Sequence, residues 1–295
     1  MSEPLRWETD GRDWPHRATS RFVTAGGFTW HVQEMGPEIA GVPLLLLIHG
    51  TGAATHSWRG LMPLLAQRCR VIAMDLPGHG FTRGRAASGL TLPGMAKAIA
   101  ALLAALGVVP NQIIGHSAGA AVALRMVRDG VAAEQVIGLN PALIPFPGVF
   151  APLLQTLARA LVLNPLVPRI FAATTRGAGD TERFLIKSTG SRIDAEGVAA
   201  YAKLIGNSHH CRGALEMMAG WDLPSLQRDL PKITVPVRLI HGDRDSAVPT
   251  SAVEQARKLL PNASMTLLAG LGHLAHEERP DLLAGVIASF APVNA

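Results

Sequence analysis

The chain has 295 residues, 48% hydrophobic and 17% charged, with a formal net charge of +5. This is enough apolar material for a large core, and one α/β domain of this length is ordinary. The arginines are scattered, with no basic run or aromatic-interleaved patch, which argues against a nucleic-acid partner.

Residues 1–17 are polar and charged and carry no signal-peptide pattern, so a cytoplasmic location is expected. Residues 21–35 alternate around Ala25-Gly26-Gly27 and predict a β-hairpin. Residues 43–49 form a continuous apolar strand, the kind buried on both faces of a parallel sheet. A helix is expected over 57–67, a strand over 70–74 ending at Asp75, and an Ala/Leu-rich helix over 91–106. Residues 111–130 read as strand, tight turn and helix, and 135–139 as a short strand ending in Asn140-Pro141. Residues 141–231 carry helical pieces broken by Pro and Gly. Strands over 236–241 and 264–268 then alternate with helices over 251–260 and 282–290.

Alternating strands and helices predict an α/β fold, a mostly parallel twisted sheet flanked by helices. The expected organisation is a core of residues 1–140 and 232–295, with 141–231 inserted as a helical cap before the acid-bearing strand. Such a cap would cover the C-terminal edge of the sheet, where open α/β sheets bind ligands. Two cysteines, Cys69 and Cys211, make no disulfide framework and suggest a reducing compartment. The apolar run 143–173 is interrupted by five prolines and by Arg159 and Arg169, which argues against a membrane span.

The chemistry centres on Gly115-His116-Ser117-Ala118-Gly119, a G-x-S-x-G pattern between an apolar strand and a helix. Three fixed positions are a weak pattern in a chain rich in Gly and Ala, so the context decides. A serine needs a base to take its proton and an acid to orient that base. His273, in a glycine-rich loop after the last strand, is the expected base, with His276 as competitor. Asp245, in the loop after the strand that ends at His241, is the preferred acid, with Asp243 as a turn-capping rival. The Ala118 N–H starts a helix and would stabilise an oxyanion; Thr51 in His49-Gly50-Thr51-Gly52 is the second expected donor, with Gly52 as alternative.

A dinucleotide reading of Gly50-Thr51-Gly52-Ala53-Ala54-Thr55 is disfavoured, because Thr55 replaces the third glycine and a hairpin precedes the unit. His209-His210-Cys211 and His273-x-x-His276 lack the partners of a zinc pattern, so neither a metal nor a cofactor is expected.

These segments resemble the α/β-hydrolase family from the hairpin to the C-terminus. The resemblance implies Ser117 as nucleophile, Asp245 as acid, His273 as base and 141–231 as cap. Serine at the nucleophile position departs from the dehalogenase and epoxide-hydrolase branches, which use aspartate. A narrower resemblance rests on residues 6–15, on 50–58 and on Ala219-Gly220-Trp221-Asp222-Leu223. It is to the magnesium-chelatase accessory proteins of bacteriochlorophyll synthesis, and it implies a role near magnesium insertion into protoporphyrin without supplying a reaction.

The expected activity is therefore Ser-His-Asp hydrolysis of an ester or activated carbonyl on an apolar or porphyrin-like substrate. Gly50, Gly52, His116, Phe146 and Leu154 are the expected substrate contacts, with further apolar residues up to Phe171, and Met217, and with Arg159, Arg169 and Arg176 at the rim. The competing reading is a non-catalytic porphyrin carrier that supports magnesium chelatase. Contact of 143–173 with an anionic membrane surface is a third reading, weighed against burial of that segment on the sheet.

Overall fold

The structure, a computed structural model, describes residues 3–84, 89–145, 164, 166–174 and 178–288. Its strands are β1 (Ser20–Ala25), β2 (Phe28–Met35), β3 (Leu44–Ile48), β4 (Arg70–Met74) and β5 (Arg83–Gly84). They continue with β6 (Gln112–His116), β7 (Gln135–Leu139), β8 (Val237–Gly242) and β9 (Ala263–Leu268). They form one sheet in the order β1-β2-β4-β3-β6-β7-β8-β9, with β5 paired to β2. β1, β2 and β4 pair antiparallel, and every pairing from β4 to β9 is parallel.

The uninterrupted apolar reading of β3 has a direct cause. Leu44, Leu46 and Ile48 pack on one face of the sheet and Leu45 and Leu47 on the other. One layer is closed by the helices Leu92–Leu106 and Ala118–Arg128, the other by Leu61–Leu65 and Pro280–Ala288. Thr91 caps the first of these by accepting from the Gly94 N–H at 3.2 Å, and Gly107 ends it in the left-handed region.

Strand order reverses between β3, whose other neighbour is β4, and β6. That switch point places the loop after β3 beside the turn after β6, where α/β sheets open a crevice. Among the described residues, five α-helices stand between β7 and β8: Leu166–Thr174, Ala178–Thr189, Ala195–Ile205, Ser208–Ala219 and Leu223–Asp229. Arg59 ties them to the sheet layers through an ion pair to the buried Glu277 and a second, at 2.7 Å, to Asp194. Tyr201 Oη donates to the same Glu277 at 2.8 Å.

One segment differs from expectation. The helix expected over 57–67 is a tight turn, Thr55–Trp58, followed by a short helix, Leu61–Leu65. Gly60 and Pro63 oppose a continuous helix there. The polar N-terminal stretch is an ordered strap: Trp7 and Trp14 pack against Phe81, and Lys203 Nζ donates to the Asp10 carbonyl at 2.6 Å.

Candidate active site

The chain leaves β6 through Ser117, at φ 52° and ψ −117°, and enters the helix Ala118–Arg128. Positive φ on a side-chain-bearing residue is strained and persists only where its surroundings hold it. Here the Ser117 N–H donates to the Leu139 carbonyl at 2.9 Å, and the Ser117 carbonyl accepts from the Ala120 and Ala142 N–H groups. Gly119 is required by close approach, since a Cβ there would lie 2.1 Å from the Ile48 carbonyl oxygen.

Ser117 lines a cavity of about 350 Å³. Gly50, Thr51, Gly52, His116 and His273 line it from the sheet side; Phe184, Leu185, Tyr201, Ile205, His210 and Leu215 line it from the inserted helices. Among the described lining residues there is no Lys, Arg, Asp or Glu.

His273 sits in the loop after β9, where its N–H donates to the Thr189 carbonyl at 2.8 Å. Its Nδ1 donates to Asp245 Oδ2 at 2.7 Å, which leaves Nε2 for the cavity side. Among the described residues no side chain hydrogen-bonds Ser117 Oγ, so serine and imidazole share the cavity without a bond between them. Such bonds commonly form only around bound substrate.

Asp245 accepts four hydrogen bonds: the Ala247 and Val248 N–H groups on Oδ1, His273 and Asn140 on Oδ2. Burial pushes its carboxyl pKa up, but the His273, Val248 and Asn140 bonds outweigh that and hold it below the usual carboxylate range. Asp243, the rival acid, instead accepts from the Gly270 N–H at 2.7 Å.

His116 donates from Nε2 to the His273 carbonyl oxygen at 2.9 Å. Burial pushes its pKa down to about 3, and the neighbouring His273 pushes the same way. His276, the competing base, is fully buried, with Nε2 2.9 Å from Ser57 Oγ and its ring 4.4 Å from that of His116.

The loop after β3 is held by His49. The Leu76 N–H donates to His49 Nε2 at 2.9 Å, so the proton sits on Nδ1, which donates to the Gly50 carbonyl at 2.7 Å. Ala118 opens its helix, so its N–H has no partner within that helix. Asp75, just past the end of β4, is a buried hub that accepts from His31 Nδ1 and the Thr55 and Phe81 N–H groups. Burial works to raise its pKa; the His31 contact and these bonds hold the carboxyl far below the usual range.

Gly50, Gly52 and His116 therefore stand at the cavity, whereas Phe146 and Leu154 lie outside the described residues. So do Phe150, Leu153, Leu157, Leu161, Arg159, Arg176 and the Phe171 side chain. Met217 is buried behind the loop, with Thr51 Oγ1 donating to its Sδ at 3.5 Å, and its neighbour Met218 faces the cavity instead. Arg169 is exposed and is not among the lining residues. Asn140 and Tyr201 were not singled out from sequence, and His210 was weighed only as a zinc ligand; a polar Asn at the end of the strand beside β6 was the available signal. Among the described residues no group of three His, Cys, Asp or Glu could hold a metal ion.

Residues 45–286 match the alpha/beta hydrolase family model, and the chain belongs to that family. It is 42% identical over 279 residues to the magnesium-chelatase 30 kDa subunit of Rhodobacter capsulatus, covering 93% of this chain and 95% of that protein. It is 29% identical to a pimeloyl-[acyl-carrier protein] methyl ester esterase of Aromatoleum aromaticum, over 83% of this chain and 96% of that one. Among solved structures, a carboxylesterase from Bacillus subtilis superposes with a TM-score of 0.67 at 20% identity, covering 96% of this chain and 95% of that one. A thermophilic esterase from Thermogutta terrifontis gives 0.73 at 22%, covering 91% and 97%. At those identities the likeness speaks for the fold. No helix among the described residues is long and apolar enough to cross a membrane.

Proposed function

We propose that this chain is a serine hydrolase that cleaves an ester or activated carbonyl on a neutral, apolar group, with the inserted helices as its cap. The observation that carries the reading is one cavity lined by Ser117, His273 and the 50–52 loop, with the His273 imidazole oriented by Asp245 at 2.7 Å. In this reading His273 Nε2 takes the Ser117 proton as Oγ attacks the carbonyl carbon. Asp245 keeps the proton on Nδ1 and stabilises the imidazolium. The Thr51 and Ala118 N–H groups receive the oxyanion. His273 returns the proton to the leaving alcohol, and water then releases the acyl group by the same route.

The lining narrows the substrate. A carboxylate or ammonium entering a site with no described ionic partner would lose its hydration without compensation. A volume of about 350 Å³ is at the small end of ligand pockets, which run about 300–1,000 Å³. It suits an acyl group, or an ester-bearing side arm of a larger molecule, better than a whole macrocycle. Kinship to a magnesium-chelatase subunit supports reading that larger molecule as a magnesium porphyrin and magnesium chelatase as a partner.

The test is fluorophosphonate labelling followed by intact mass, with Ser117→Ala and His273→Ala beside the wild type. One adduct on the wild type and none on either variant supports the reading; a folded wild type without an adduct rejects it.

The same kinship favours a second reading, a porphyrin-binding accessory protein that needs no turnover. Titration with protoporphyrin and its magnesium form, followed in the Soret band, tests it. No shift at micromolar protein removes it.

A further inference from the structure

We propose that His210, on the inserted helix Ser208–Ala219, is a positioning residue for the Thr51 oxyanion donor, acting through two peptide units of the 50–53 loop. The proposal rests on the hydrolase reading above.

The Gly80 N–H donates to His210 Nδ1 at 3.1 Å. That nitrogen is therefore the unprotonated one, and the ring proton sits on Nε2. Nε2 donates to the Gly52 carbonyl oxygen at 3.1 Å. In a trans peptide the C=O and the next N–H point in opposite directions. Drawing the Gly52 carbonyl toward the inserted helix turns the Ala53 N–H back into the loop, where it donates to the Gly50 carbonyl at 3.2 Å. The Gly50 carbonyl also takes the His49 Nδ1–H. Fixing that carbonyl sends the Thr51 N–H the opposite way, toward the cavity that Thr51 lines.

The result is a head-to-tail chain: Gly80 N–H, the His210 imidazole, the Gly52–Ala53 peptide, the Gly50–Thr51 peptide. Each link polarises the next, and the imidazole at its centre is buried. Burial favours the neutral ring this chain requires, and pushes the His210 pKa down to about 4. The helix is seated firmly enough to act this way. Gly213, one turn after His210, lies against the 77–80 loop so closely that a Cβ would come within 1.9 Å of the Gly78 carbonyl oxygen. The insertion thus sets the direction of an oxyanion donor without supplying one.

Three variants separate donor from bulk. His210→Gln can place an amide N–H near the Nε2 position, His210→Asn reaches only the Nδ1 position, and His210→Ala removes both. The readouts are kcat and KM on a short-chain p-nitrophenyl ester, the fluorophosphonate labelling rate, and 15N spectra of the histidine ring. His210→Asn and His210→Ala are expected to lower kcat and labelling by about tenfold or more, part of the ~10²–10³ lost with a whole donor. KM should stay within about threefold, His210→Gln should recover to within about threefold of wild type, and the wild-type ring should show the Nε2–H tautomer. A folded His210→Asn with wild-type kcat overturns the proposal, as does an Nδ1–H tautomer or a loss confined to KM. A wild type that takes no label overturns the hydrolase reading itself, an outcome distinct from labelling that is indifferent to residue 210. If His210→Asn and His210→Ala do not fold, the tautomer and His210→Gln decide.

Discussion

Asn140 Nδ2 donates to Asp245 Oδ2 at 2.9 Å, on the same oxygen that receives His273 Nδ1. Asn140 also donates to the Gly272 carbonyl at 3.2 Å, so it joins the acid to the loop that carries the base. Its φ of 46° is in the left-handed region, which Asn and Asp tolerate better than other side chains. Asn140→Asp therefore keeps the backbone while replacing a donor with a second carboxylate. Two adjacent carboxylates cannot both stay ionised cheaply, and one of them takes a proton. The labelling rate at pH 7 is expected to fall on the order of tenfold, a fraction of the ~10²–10⁴ that general-base catalysis contributes. An unchanged rate would show that the Asn140 bond does not matter to the acid.

Asp245→Asn addresses the acid directly. An amide at this position can donate to Nδ1, which drives the imidazole into the wrong tautomer and leaves Nε2 protonated and unable to act as base. The loss expected in labelling rate is about 10⁴, with little change in fold, because Asn can still accept from the Ala247 and Val248 N–H groups. Asp243→Asn should leave the rate within about twofold, since the exposed side chain accepts from the Gly270 N–H and, among the described residues, from no other group. Equal losses in the two variants would reassign the acid.

How much of this could be read from sequence depends on where each partner lies. The turn at Ser117 is legible because close backbone approach leaves glycines beside the serine in the chain. The doubly buried strand β3 is legible because burial on both faces removes every polar residue from it. The contacts of Asn140 and His210 were not legible, because their partners lie 105 and 158 residues away. Short-range periodicity also reads a helix through Gly60 and Pro63, and it does not show that a charged N-terminal stretch folds onto Phe81.

Stability should fall as the protein is acidified from neutral pH. Burial depresses the pKa of His116 to about 3 and of His210 to about 4, and it lowers His49, His56, His79 and His276 as well. In the unfolded chain these groups titrate near 6.5. Below that pH the unfolded chain therefore binds protons that the folded chain refuses, and each such group costs about 1.4 kcal/mol per pH unit. The contribution is complete above pH 6.5 and is lost downward from there. His116 and His210 alone remove about 5 kcal/mol by pH 4.5, a large share of ordinary domain stability. Asp75 and Asp245, held below the usual carboxylate range, extend the loss below about pH 4. Urea midpoints should hold from pH 7.5 to about 6.5 and then fall steadily to pH 4.5. A flat profile would mean that these imidazoles reach solvent.

The buried Arg59–Glu277 pair should behave as a unit. Glu277 is fully buried in its side chain and also accepts from Ser57 Oγ at 2.6 Å and from Tyr201 Oη. Glu277→Gln leaves the Arg59 guanidinium, 6% exposed, without its buried counter-charge. Removing one partner of such a pair costs about 3–5 kcal/mol, because the remaining charge stays desolvated. Arg59→Met alone should cost a similar amount, since it strands the carboxylate. The double variant Arg59→Met with Glu277→Gln removes both charges and should cost clearly less than the sum of the two single changes. Asp194 moderates the effect for Arg59 only weakly, because its own side chain is 61% exposed. Thermal melts of the four proteins form the cycle. Additive losses would mean that the two charges are solvated independently and that the inserted helices are held by apolar contact instead.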